Sequence, residues 1–170
     1  MIEEKQNVRA VLKRLGLKGG DKAPKTYATL RLLLSDSAMQ AQSFWAGSPT
    51  VGEGGQLSIG KGDYIDTPMG RADAATDIFG NGDIVMYGNS FKNWETLTYN
   101  TVHELQHRWQ WSMGYINTWA KQFGGRQDVI WNMAEYDARS TVIGWGFNPP
   151  AGYVSSHKSY VNGQFPNTIK

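Results

Sequence analysis

The element order legible in this chain is a helix, then short β segments cut by glycine, then two further helices, which predicts an α+β domain. Three observations carry that reading. Val8, Val11, Leu12 and Leu15 recur at helical spacing near the N-terminus. Residues 46–90 are β-prone pieces separated by glycines. The helical period then returns from Trp94 to Met113 and from Gln127 to Ile143, and each run is stopped by a glycine, Gly114 and Gly144.

Taken in order, residues 3–15 form the first helix, with Gly16 as its stop. Gly19, Gly20 and Pro24 mark a loop. Residues 26–34 fit a helix or a strand; the alternation of Tyr27, Thr29 and Arg31 with Ala28, Leu30 and Leu32 favours a strand. Ser37 to Trp45 is a short helix. Leu57–Ile59 and Asp63–Asp66 flank Gly60-Lys61-Gly62 and read as one hairpin. Asp77–Phe79 and Asp83–Tyr87 flank Gly80-Asn81-Gly82 and read as a second. Asn93 is an N-cap for the long helix, with Glu95 favourable in its first turn. The last twenty residues are polar and read as loop with a short strand.

Composition narrows the function classes. The 170 residues fit a single domain spanning 1–170. There is no cysteine, which excludes a disulfide scaffold, a thiol nucleophile and a cysteine zinc finger. The net charge is +2, and Lys5, Arg9, Lys13, Arg14 and Lys18 are scattered as on a wet helix face, so no nucleic-acid footprint is expected. No run of about 18 apolar residues is present, so no membrane span is expected. The opening residues lack the apolar core of a secretory signal; an exported copy would leave by a specialised route, or as a piece cut from a larger chain. Seven tryptophans suit core and rim packing, or an aromatic-lined cleft for peptide or sugar.

The segment that carries chemistry is His103-Glu104-Leu105-Gln106-His107. Histidines four apart share a helix face, one turn apart, so both imidazoles can reach one Zn²⁺ at about 2.0–2.1 Å. Glu104 projects about 100° round the helix, where a carboxylate serves as general base toward a water rather than as a ligand. Two histidines leave a tetrahedral site one protein ligand short. Glu135 on the next helix is the favoured third ligand, with Asp137 and His157 as alternatives. Glu135 and Asp137 lie about 200° apart on a helix, so only one can face the metal. Ala138 would let the two helices approach closely. Against ligation stands an i,i+4 ion pair of Glu135 with Arg139 on a wet surface. With Glu135 as ligand, Asp137 is expected to accept the free N–H of a ligand histidine.

This arrangement resembles the zincin metallopeptidases, specifically the gluzincin branch, in which a second helix supplies the glutamate. The resemblance spans roughly residues 77–145, and no metzincin extension follows Gly114. It implies a minimal zincin-like domain, with a small twisted sheet packed on the active-site helix and a second ligand-bearing helix. It also implies that Asp83–Tyr87, the strand before that helix, binds substrate as an added strand. An oxyanion-stabilising group is expected after the second ligand helix, where Tyr153, His157 and Tyr160 lie; His157 is the first choice and Tyr160 the second. The segment Val102–Gln110 is similar to metallopeptidase domains of bacterial secretion-system toxins and effectors. That similarity implies export by such a machine and a cognate inhibitor or immunity protein.

The expected function is therefore zinc-dependent hydrolysis of peptide bonds in a protein or a peptidoglycan peptide, with Glu104 as base. The alternative is a zincin-shaped module that binds peptide or glycan with little turnover, although such a shell has no need of Glu104. A purely structural zinc would require a fourth protein ligand, for which His157 is the spare histidine.

Overall fold

The computed structural model describes residues 6–170. The first helix, α1 (Val8–Arg14), is capped by the Asn7 side chain, which accepts from the Arg9 and Ala10 amides; residues 3–5 of the expected helix lie outside the described residues. Next comes α2 (Tyr27–Leu34), where the alternation favoured a strand. Helix wins because the Thr26 hydroxyl accepts from the Thr29 amide as N-cap. The buried positions Thr29, Leu30 and Leu33 then follow a helical stripe, while Leu32 is exposed. Helix α3 (Ser37–Trp45) starts at Asp36, which caps it and also binds Arg14 of α1 at 2.6 Å.

Three short strands, β1 (Leu57–Ile59), β4 (Ala74–Thr76) and β5 (Ile84–Met86), form a sheet in the order β1-β5-β4. The expected hairpin across Gly60-Lys61-Gly62 does not form: β1 pairs in parallel with β5 instead. The reason is local. The Gly60 amide continues that ladder onto the Met86 carbonyl at 2.9 Å, and a Cβ on Gly60 would lie 2.4 Å from the Tyr87 ring. Glycine there serves close packing, and the chain turns later. Strand β2 (Ile65–Thr67) pairs with β3 (Gly70–Ala72) about Pro68-Met69 as a separate hairpin. The second expected hairpin exists with a shifted first arm: β4 is antiparallel to β5, and residues 77–83 are the loop. Asp77 organises that loop, its carbonyl accepting from the Gly82 amide at 2.9 Å.

A 3-10 turn at Gly88–Phe91 leads into α4 (Trp94–Ser112), whose N-cap is Asn93, accepting from the Thr96 amide at 2.7 Å. Gly114 ends it in the left-handed conformation at φ +80°. The chain does not become a loop there but enters α5 (Tyr115–Gln122), which buries Ile116 and Trp119. Helix α6 (Gln127–Gly144) packs along α4. The C-terminal segment is a helix, α7 (Ser155–Gln164), rather than loop and strand. Its buried residues, His157 and Val161, are one turn apart and seat it against α6.

The fold is thus α+β, with seven α-helices and two small sheets among the described residues. Two apolar clusters hold it. One gathers α1–α4, β1, β5 and the end of α6; the other gathers α5, the first half of α6 and α7 around Phe123, Ile130 and Ala134. Helices α4 and α6 pack against each other, with α6 contributing to both clusters. Trp94, Trp119 and Trp145 are core residues, and Trp45 is exposed. No helix among the described residues is long and apolar enough to cross a membrane.

Candidate metal centre

Leu97, Val102 and Leu105 anchor α4 in the first cluster. That leaves His103 and His107 on the adjoining face, toward α6. Small residues on α6, Ala134 and Ala138, are fully buried and let α4 come close; the Gln110 side chain reaches the Ala134 carbonyl at 3.0 Å. Three ligand atoms converge where α4 meets α6. His103 Nε2 lies 3.2 Å from Glu135 Oε1, His107 Nε2 lies 2.7 Å from the same oxygen, and the two imidazole nitrogens are 3.1 Å apart. Together these residues form a group able to hold a metal ion.

Two imidazole nitrogens and a carboxylate oxygen make a donor set for a divalent transition-metal ion. Tetrahedral ligands about 2.0–2.1 Å from such an ion stand about 3.3 Å from one another; the 3.1 and 3.2 Å separations lie near that, and the 2.7 Å one is shorter. Glu135 is positioned from its other side as well: Arg139 Nε donates to Oε2 at 2.9 Å, leaving Oε1 for the histidines. The i,i+4 ion pair and the histidine contacts therefore coexist on one carboxylate. Burial favours the neutral acid, but the charges and hydrogen bonds of His103 and His107 pull the Glu135 carboxyl well below its usual range. Burial likewise favours a neutral His107, yet the hydrogen bond and charge of Glu135, aided by Glu104 and Gln110, raise it to about 9.

Glu104 is buried beside this group, its Oε2 4.0 Å from His103 Nε2. The Thr76 hydroxyl of β4 donates to its Oε1 at 2.9 Å. All four residues line a cleft of about 650 Å³, walled by the β2–β3 hairpin and β4 on one side and by Trp131, Arg139 and Tyr153 on the other.

Several expectations change here. Asp137 does not accept a histidine N–H. That acceptor is Gln110 Oε1, 3.0 Å from His107 Nδ1, and Asp137 stands one step behind, taking Gln110 Nε2 at 2.8 Å. His157 is not part of the ligand group. It sits buried on α7, its Nδ1 2.8 Å from Asn132 Oδ1 and its ring edge-on to Trp131. Burial and the Arg139 charge lower its basicity. The Tyr160 hydroxyl donates to Asp128, and neither His157 nor Tyr160 lines the cleft. Tyr153 does line it, stacked on Arg139 at 4.7 Å, with its carbonyl taking Arg139 Nη1 at 3.0 Å.

The strand expected to take an added strand, Asp83–Tyr87, has no edge free for one. Strand β5 is flanked by β1 and β4, so its backbone groups are spent on the sheet. Among the described strands β4 pairs only with β5 and has a free edge. Asp73 and Asp77 bond across to Tyr87 and Asp83 at 2.9 and 3.0 Å. The antiparallel alternation then turns the N–H groups of Ala74 and Thr76, and the Ala74 carbonyl, away from β5. Both residues line the cleft.

Compared with known proteins, the chain matches no family model, no curated protein and no solved structure.

Proposed function

We propose that this chain is a zinc-dependent peptidase of zincin-like design, with His103, His107 and Glu135 as the metal ligands. The observation that carries the reading is the convergence of His103 Nε2, His107 Nε2 and Glu135 Oε1 at 2.7–3.2 Å beside a buried carboxylate, in the wall of an open cleft. Zinc held there supplies Lewis acidity, polarising a carbonyl and acidifying a water. Glu104 accepts a proton from the attacking water and returns it to the leaving amine. Thr76 holds that carboxylate in place through Oε1. An extended peptide pairs with the free edge of β4 at Ala74 and Thr76, which lays its carbonyl across the histidines. Tyr153, which lines the cleft beside Arg139, takes in this reading the role of donor to the developing oxyanion.

The test joins metal analysis to turnover. The purified protein should take up one zinc per chain after chelator treatment and cleave peptides only when reloaded. Zinc-independent cleavage, or no zinc uptake, would remove the proposal.

A further inference from the structure

We infer that Gln110 is a positioning residue of the metal centre, its amide oxygen keeping the His107 proton on Nδ1 so that the Nε2 lone pair is turned to the ion. This rests on the assignment of His103, His107 and Glu135 as ligands. Gln110 follows His107 by three residues on α4, on the same helix face, and is fully buried. Its amide orientation is decided by its neighbours. Nε2 lies 3.0 Å from the Ala134 carbonyl and 2.8 Å from Asp137 Oδ2. Both are acceptors, so the group between them is the NH₂, and Oε1 is left facing His107 Nδ1 at 3.0 Å. An amide oxygen only accepts, so Nδ1 carries a hydrogen.

Asp137 is held from a second direction. Gln106 Nε2 donates to the same Oδ2 at 2.9 Å, and Gln106 Oε1 accepts from Gln42 Nε2 of α3 at 3.1 Å. The orientation at the metal centre is thus fixed by a chain of polar side chains on α3, α4 and α6. Because the group touching His107 is a neutral amide that accepts from Nδ1 and takes no proton from it, the ring bound to the ion through Nε2 is a neutral imidazole. A carboxylate in that place would draw on the Nδ1 proton and make the ring a more basic ligand. The Asp137 charge acts one residue removed, fixing the amide and not the ring.

The experiment uses zinc as the probe, with competition against a chromophoric chelator and nitrogen-15 NMR of the histidine rings in the zinc-loaded protein. Wild type should bind one zinc, with His107 protonated on Nδ1 and that proton slow to exchange. Gln110→Met, of similar length but with no acceptor, should bind zinc about 10–100-fold more weakly and lose the slow proton. The wild-type spectrum decides the matter even if that variant does not fold. If wild type takes up no zinc, the ligand assignment falls and this inference with it. If wild type binds zinc but His107 carries its proton on Nε2, or Gln110→Met binds zinc as tightly, the role of Gln110 is overturned and the metal site stands.

Discussion

The Thr76 hydroxyl lies 2.9 Å from Oε1 of Glu104 and 3.2 Å from the backbone carbonyl of the same residue. One short side chain thereby ties β4 to α4 at the residue proposed as base. Thr76→Val has nearly the same shape but leaves a buried carboxylate oxygen without its donor. Hydrogen bonds to charged groups are worth about 1.5–3 kcal/mol, so turnover should fall roughly 10–100-fold with zinc content unchanged. Thr76→Ser should keep most activity. Steady-state peptide hydrolysis with metal analysis of each variant checks this; equal rates for Val and Thr would show that Thr76 does not position Glu104.

Glu135 and Asp137 differ by direct contact against action through Gln110. Glu135→Ala removes the oxygen 2.7 Å from His107 Nε2, and His103→Ala or His107→Ala removes a nitrogen of the same triangle. Each should abolish stoichiometric zinc. Asp137→Ala should weaken zinc by about 10–100-fold at most. Chelator competition measures all four, and a loss for Asp137→Ala equal to that for Glu135→Ala contradicts the assignment.

The metal-free protein should have a pH dependence of its own. Its His107 is raised from about 6.5 to about 9 and pairs with an ionised Glu135. A raised histidine stabilises fully below its unfolded value, and the benefit fades as pH climbs through the folded one. Thermal unfolding of the metal-free chain should therefore show Tm falling between pH 6.5 and 9.5 relative to His107→Gln, which lacks the titration. Zinc must displace the same proton, so apparent zinc affinity should rise across that interval. A Tm difference between wild type and His107→Gln that does not change with pH would contradict the pairing.

Much of the centre was legible in the sequence because it depends on helical periodicity. Asn93, Gly114, the two histidines and Glu135 are all set by spacing along α4 and α6. Gln110 and Thr76 were not, since an amide or hydroxyl acquires its role only from the atom another element brings to it. The segment at 26–34 misled because its leucines alternate as well as recur at helical spacing, and the Thr26 cap decided between them. The polar C-terminus hid α7, whose hold on the fold is two buried residues, His157 and Val161. Its helix, and not a loop, carries His157 to Asn132, and the preceding turn is what places Tyr153 in the cleft.

The most direct measurement is peptide cleavage by zinc-loaded wild type against zinc-loaded Glu104→Gln. Glutamine keeps the volume and the Thr76 contact but cannot accept the water's proton. The variant should retain the fold and one zinc per chain while losing about 10²–10⁴ in rate. Cleavage by Glu104→Gln at the wild-type rate, or no cleavage by zinc-loaded wild type across a broad peptide library, would contradict a peptidase built on this centre.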